Sequence, residues 1–170
     1  DIYTCNYENL PWLLEKCGNH WPFDMVVSDE STKLKGFRGS EQVSTKGKVF
    51  TRAGGGQRTT ALARVAHSRV KRFIELTGTP APNGLLGLWG QTWFVDAGER
   101  LGRSFTAYKD RWFTTIQEAG HWDKNPDYKV PIIKPASWAQ EEIETLLRDV
   151  TVSLNPKDYF DLRDPIVNVI

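Results

Sequence analysis

Residues 75–89 read "ELTGTPAPNGLLGLW". With Phe73-Ile74 before them they form an apolar run that stops at Thr77-Gly78-Thr79-Pro80. A short apolar run closed by turn residues predicts a buried strand. Two hydroxyls, a glycine and two prolines then sit at the strand's end, where hydrogen-bonding groups can meet a ligand. Gly78 is suited to close backbone approach or a positive φ. Asn83-Gly84 adds an amide and a turn, and an apolar helical segment follows. Taken alone, these residues read as an ordinary turn-rich loop.

Working outward, "FDMVVSDE" (23–30) predicts a second buried strand, stopped by the acids Asp29 and Glu30. Between the two strands lies "ALARVAHSRVK", with Leu62, Val65, Ala66 and Val70 at helical spacing and Thr59 or Thr60 as cap. Residues 36–57 are polar, basic and glycine-rich, and read as a long mobile loop. Near the start, Ile2-Tyr3-Thr4 reads as a strand end, and Asn9 as the cap of a helix over "LPWLLEKC". From about residue 85 the chain predicts a helical extension, "LLGLWGQTWFV" and "SFTAYKDRWF", whose aromatic residues suit packing better than base stacking. Residues 120–135 read as an irregular connection. Ser137 is placed to cap a helix over "WAQEEIETLLRDV". "TVSL" reads as a short strand, Asn155-Pro156 as a turn, and "DPIVNVI" as an extended segment. Strands alternating with helices predict an α/β fold with a mainly parallel sheet flanked by helices. Ligands bind such sheets at the carboxyl ends of the strands, where "SDEST" and "TGTPAPN" both fall.

The 170 residues fit one domain, and 39% hydrophobic with 25% charged residues excludes a disordered chain. No apolar run nears the roughly 20 residues that span a bilayer, and no signal-peptide pattern opens the chain, so no membrane partner is expected. The start at Asp1-Ile2-Tyr3 reads as a fragment or a processed product. Cys5 and Cys17 form no CxxC pair and read as free thiols, and His20, His67 and His121 are too scattered for a metal site. Net charge is +1, yet Lys33, Lys35, Arg38, Lys46, Lys48, Arg52, Arg58, Arg64, Arg69, Lys71 and Arg72 follow one another with Glu41 the sole acid among them. Such a block suits an anionic partner, nucleic acid first, or else a solvated surface.

Asp29-Glu30 is the chemical pair. One carboxylate can hold Mg²⁺, directly or through water, because that ion takes oxygen ligands and few of them from protein. The other can orient or deprotonate an attacking water. Neighbouring strand residues point to opposite faces, so the pair is useful only where the strand ends and turns, as Ser31-Thr32 suggest.

Taken together and in this order, "VVSDEST" and "IELTGTPAPNGLLGLW" resemble motifs II and III of helicase superfamily two, most closely the Swi/Snf-type DNA-dependent ATPases. "GQTWFVDAGERLGRSFTAYKDRWF" is similar to the phage-encoded members, and "YTCNYENLPWLL" to the strand and helix before motif II. The resemblance implies that residues 1–170 are a partial RecA-like lobe one, with motif II at 29–32 and motif III at 77–83. It implies Asp29 as the aspartate holding Mg²⁺ through water and Glu30 as the residue activating the hydrolytic water. Thr77, Gly78, Thr79 and Asn83 would couple ATP state to DNA contact. Thr32 stands where many relatives have histidine.

No stretch fits G-x-x-x-x-G-K-[ST], the phosphate cradle. Gly54-Gly55-Gly56 lacks the lysine and reads as loop. The expectation is therefore part of an ATP-dependent DNA helicase or translocase in the cytoplasm of a bacterium or phage-infected cell. Alone it would not hydrolyse ATP at a helicase-like rate and would bind neither ATP nor Mg²⁺ tightly. Its partners would be duplex DNA, a P-loop segment and a second RecA-like lobe. Arg38, Lys46, Lys48, Arg52 and Arg58 are the candidate phosphate contacts, and their binding should weaken steeply with salt. The alternative is a non-catalytic DNA-binding or protein-interaction module on the same fold. A metal-dependent nuclease built on Asp24, Asp29, Glu30 and Lys33 is a third possibility, which leaves "LTGTPAPN" unexplained.

Overall fold

The computed structural model describes residues 1–119 and 129–154. They form a mixed α/β structure. After a 3₁₀ turn at Tyr7–Asn9 comes α1 (Leu10–Cys17), with Pro11 in its first turn, where no backbone donor is lost to the helix. Asn9 holds the capping position without a side-chain cap bond, and Gly18 at φ 51° ends the helix. Residues 2–4 carry no strand.

Strand β1 (Met25–Asp29) leads through a 3₁₀ turn at Ser31–Leu34 into β2 (Arg38–Val43) and β3 (Val49–Gly54). Helix α2 (Gln57–Ala66) and strand β4 (Arg72–Leu76) follow. Strands β1 and β4 pair in parallel, Met25 opposite Arg72 and Asp29 opposite Leu76. Of the mainly parallel sheet expected, the described residues hold this one pair. Strands β2 and β3 pair antiparallel, as do β5 (Phe113–Ala119) and β6 (Lys129–Pro135).

Two expectations need correction. Residues 36–57 are not a mobile loop but largely the β2–β3 hairpin. Its turn is closed by Gly47 N–H donating to the Ser44 carbonyl at 2.9 Å and Lys48 N–H to Ser44 Oγ at 3.0 Å, with Gly47 at φ 74°. The glycine run serves close packing. A Cβ on Gly54 would lie 2.5 Å from the Arg38 carbonyl oxygen, and one on Gly55 2.4 Å from that of Gly36. The described part of the stretch 120–135, Lys129–Pro135, is likewise a strand. The extension from residue 85 is therefore not wholly helical: α3 (Leu88–Asp96) and α4 (Phe105–Trp112) precede the β5–β6 hairpin, and α5 (Ala139–Leu147) follows it.

Smaller differences sit at helix ends. Gly56, not Thr59 or Thr60, caps α2, and the helix stops at Ala66 before Val70. Trp138, not Ser137, precedes α5. Residues 151–154 form no strand. The turn expected at Asn155-Pro156 and the extended "DPIVNVI" lie outside the described residues.

Helix α3 is the centre of the core. Trp89, Gly90, Gln91, Trp93 and Phe94 are all buried, an all-round burial that only a central helix tolerates. Phe37, just after the 3₁₀ turn, stacks on Trp89 with ring centroids 5.6 Å apart and planes within 2°. Trp89 Nε1 donates to the Gly102 carbonyl at 2.8 Å, and the Tyr108 hydroxyl to that of Leu85 at 2.6 Å. The aromatic residues here are packing; Trp89 and Tyr108 satisfy their polar handles, as buried Trp and Tyr usually do, whereas the Trp93 indole N–H is buried without a partner. Gly90 lets α3 approach the preceding turn: a Cβ there would stand 2.8 Å from the Lys35 carbonyl oxygen and 2.9 Å from that of Leu34.

One face of the parallel pair is left open. Met25, Val27, Ile74 and Leu76 alternate onto it and are each at least 42% exposed. The opposite face, carrying Val26, Ser28, Phe73 and Glu75, is turned inward.

Candidate functional site

Parallel pairing with Asp29 opposite Leu76 brings the carboxyl ends of β1 and β4 to one edge. Neighbouring strands lie about 4.8 Å apart, so the acid pair and Thr77 leave the sheet side by side. The turn that the acid pair needs is made by Glu30 itself, at φ 52° and ψ 53°. A left-handed conformation outside glycine costs about 1–2 kcal/mol, and such outliers concentrate at functional positions. Asp29 Oδ1 accepts from the Glu30 N–H at 3.0 Å. Both acids are exposed. Tyr7 braces the strand end from the 3₁₀ turn before α1. Its hydroxyl donates to the Asp29 carbonyl at 2.8 Å and makes a short contact with Ser28 Oγ. Burial, with the carboxylates of Glu75, Asp29 and Glu30 nearby, pushes the Tyr7 phenol above its ordinary value against the Ser28 bond.

On the neighbouring strand, Thr77 Oγ1 accepts from Thr79 N–H at 3.2 Å and shapes the loop. Gly78 departs from its expected role within this chain. It is not among the positive-φ glycines, and no atom lies within 4 Å of where its Cβ would stand. Asn83, with its amide oxygen turned to Lys35, accepts from Lys35 Nζ at 3.0 Å. That bond ties the Thr77–Asn83 segment to the segment following the acid pair.

A second tie runs beneath the edge. Ser31 is fully buried, and its hydroxyl donates to Gln91 Oε1 at 3.1 Å. Gln91 Nε2 donates to the Pro80 carbonyl at 2.7 Å. Glu75 lies on the inward face of β4 beside Ser31, with one carboxyl oxygen buried and without a partner. Burial raises its carboxyl to about 9, the Ser31 hydrogen bond acting the other way. Glu75 is therefore protonated in the folded chain at neutral pH, whereas the unfolded chain ionises it in the ordinary carboxylate range. Between those two pH values the folded state holds the extra proton, so this contribution to stability is full at low pH and declines as pH rises towards 9. Glu75→Gln should flatten the fall of the urea midpoint between pH 5 and 9. An unchanged slope would place the carboxyl in contact with water.

Ser31 was read from sequence only as part of the turn after the acid pair and Lys35 only as part of the basic block; Glu75 and Gln91 were not among the residues picked out. The one signal they left was polarity out of place: Glu75 inside "FIEL" and Gln91 inside "LWGQTW".

The five basic candidates divide. Arg38 is half-buried and spends its guanidinium on the fold: Nη1 donates to the carbonyls of Lys35 at 2.8 Å and Phe37 at 2.7 Å, and the group lies 4.0 Å over the Phe105 ring. Burial lowers its pKa. Lys46 and Lys48 sit at the tip of the β2–β3 hairpin and Arg52 on β3, all exposed. Arg58, in the first turn of α2, pairs with Glu8 at 3.0 Å on an exposed surface. Asp24, one of the four nuclease candidates, pairs with Lys71 at 2.9 Å. It precedes β1 while Asp29 ends it, a separation of about 16 Å at about 3.3 Å per residue, so the two cannot share a metal ion.

No group of three or more His, Cys, Asp or Glu residues among the described ones is arranged to hold a metal. The exposed Asp29 carboxylate still suits Mg²⁺ bound through water, which needs few protein ligands. ATP is different: these residues include no phosphate cradle. A groove of about 890 Å³ between α1 and α2 is lined by residues such as Pro11, Leu14, Gln57, Arg64 and Arg69, and by none of Asp29, Glu30, Thr77 or Asn83. Among the described residues no helix is long and apolar enough to cross a membrane.

The chain is 46% identical over 170 residues to a protein named "Putative protein p41" of Acyrthosiphon pisum secondary endosymbiont phage 1. The match takes in 99% of this chain and 32% of that protein, so the chain spans about a third of the relative's length. No family model matches the chain, and no solved structure matches it.

Proposed function

We propose that this chain is part of the first RecA-like, ATP-binding lobe of a Swi/Snf-type DNA-dependent ATPase, the part that carries motifs II and III. The observation that carries the reading is the parallel register of β1 and β4. It sets Asp29-Glu30 and Thr77–Pro80 on one sheet edge, with Glu30 in a left-handed turn that ends the strand's alternation at the acid pair. An acid pair for a metal-bound phosphate and a hydroxyl-bearing loop beside it suit coupled hydrolysis. The open apolar face of β1–β4 suits a covering layer supplied from elsewhere in a larger α/β lobe, since parallel sheets are covered on both faces in α/β proteins. Lys46, Lys48 and Arg52 on the hairpin are the basic residues free to meet a duplex backbone, and Arg38 is the one turned inward.

Asp29 would hold Mg²⁺ through water, and Glu30 would take the proton of the attacking water. When bound, the metal would neutralise charge on the transferring phosphate. The phosphate cradle and the second lobe would come from elsewhere in the parent polypeptide. Accordingly, pure 170-residue chain with Mg²⁺, ATP and duplex DNA should stay well below about 1 s⁻¹, the low end of ordinary turnover. The full-length polypeptide that carries it should hydrolyse ATP, and faster with DNA. No DNA-stimulated hydrolysis by the full-length protein would sink this reading. It would leave the second one, a DNA-binding or protein-interaction module without catalysis, which the lack of a G-x-x-x-x-G-K-[ST] stretch in these residues favours.

A further inference from the structure

We propose that Gln91 is a positioning residue that holds the acid-pair turn and the Thr77–Pro80 loop in one fixed register, through the Ser31 hydroxyl and the Pro80 carbonyl. The inference rests on the ATPase reading above and assigns that site a residue from outside both motifs.

Gln91 belongs to α3, yet it makes no contact with solvent to speak of, at 2% exposure. A buried amide must satisfy both its carbonyl and its NH₂ group or cost about 1–3 kcal/mol for each group left bare. Gln91 satisfies both ends on two different segments. Its oxygen accepts from Ser31, the residue after Glu30, and its nitrogen donates to Pro80, the last residue of Thr-Gly-Thr-Pro, with a longer bond at 3.4 Å to Gly87 in its own element's approach. The donor directions form one consistent chain. Ser31 Oγ donates to Gln91 Oε1, and Gln91 Nε2 donates to the Pro80 carbonyl. Reversing the Gln91 amide would set its NH₂ against the Ser31 hydroxyl and its oxygen against the Pro80 carbonyl, an unfavourable face-off of two acceptors. The network therefore admits one arrangement of the two loops.

Its foundation is rigid. Gly90, next to Gln91, lets α3 lie against the Leu34 and Lys35 carbonyls, and Trp89 and Trp93 bury the helix on either side. The loops themselves are exposed at Glu30, Gly78, Thr79 and Pro80, and Tyr7 braces only the strand end before them, at the Asp29 carbonyl. Lys35 Nζ to Asn83 adds a parallel tie nearer the surface. A linkage of this kind transmits a shift at one loop to the other, because neither can move alone without breaking a buried hydrogen bond.

The test uses the full-length polypeptide with Ser31→Ala, Gln91→Leu and both together. A positioning role predicts a kcat for DNA-stimulated ATP hydrolysis at least tenfold lower in each single variant, with the KM for ATP and the DNA affinity within about twofold of the unmodified protein. It also predicts that the double variant is no slower than the slower single one, since groups acting as a unit are not additive. Gln91→Glu should restore part of the rate only at acidic pH, where its carboxyl can still donate to Pro80. Single variants with unchanged kcat, or multiplicative losses in the double variant, would overturn the proposal. If Gln91→Leu unfolds, Ser31→Ala still decides, because it deletes one atom and leaves the Pro80 bond in place. Unmodified protein that shows no DNA-stimulated hydrolysis overturns the ATPase reading instead, and this inference falls with it.

Discussion

Glu30→Gln in the full-length polypeptide is expected to lower DNA-stimulated ATP hydrolysis by about 10²–10⁴-fold, the usual contribution of a positioned general base, with duplex DNA binding unchanged within about twofold. The amide is nearly isosteric but cannot take a proton. The backbone should keep its shape, since Gln at φ 52° meets the same steric cost as Glu. Glu30 is exposed at the edge and its side chain makes no bond that the fold depends on, so folding should be indifferent to the change. Lost DNA binding with retained hydrolysis would reverse the assignment, and would make Glu30 a structural or contact residue. Glu30→Gly provides a contrast. It removes the carboxylate as well but relieves the left-handed strain, so it should be as inactive and more stable by about 1 kcal/mol.

Trp89→Ala is expected to be the most damaging single change to stability. The indole is fully buried, stacked on Phe37 and edge-on to Phe105 at 5.8 Å, and its N–H is bonded to Gly102. These contacts join α3 to the segment after the acid pair and to α4. Large-to-small core changes at aromatic residues cost about 3–5 kcal/mol, which for a chain of this size lowers Tm by roughly 6–20 °C. Calorimetry or circular dichroism on the 170-residue chain measures it. A shift below about 2 °C would mean that α3 is not the centre of the core. The consequence reaches function, because the same helix carries Gln91: a chain that loosens here loses the support under both loops.

Much of the site's outline was legible from residue order. The runs within "FDMVVSDE" and "RFIELT" read as buried strands; Met25–Asp29 and Arg72–Leu76 are strands, because short apolar runs closed by acids, glycine and hydroxyls have few other conformations open to them, but one face of the pair is exposed rather than buried. The turn required at Asp29-Glu30 was legible too, since two adjacent strand side chains cannot serve one face. The hairpin at residues 38–54 was not. Its alternation is weak, and the glycine run at its end, Gly54-Gly55-Gly56, looks like flexibility, whereas Gly54 and Gly55 let backbones approach within about 2.5 Å of a missing Cβ. Such a need becomes visible only when the neighbour's carbonyl is in place.

Arg38 makes the same point for charge. In the sequence it is one cation in a basic block, equivalent to Lys46 or Arg52. In the fold it lies against Phe105, more than sixty residues away, and its guanidinium is used up by two carbonyls. Charge patterning counts residues without their directions, so it cannot separate a cation that faces solvent from one that seals a loop.

Residue order alone specified the local events: where strands stop, which residues turn, which carboxylates adjoin, and that "ELTGTPAPN" ends a strand with hydroxyls exposed at its tip. Those follow from backbone sterics and apolar periodicity over a few residues. The register of β1 against β4 across more than forty residues, the inward turn of Arg38, the raised carboxyl of Glu75 and the Ser31–Gln91–Pro80 bridge came from the assembled core. Each depends on desolvation and on hydrogen bonds between distant segments, and both are properties of what surrounds a group rather than of its neighbours in the chain.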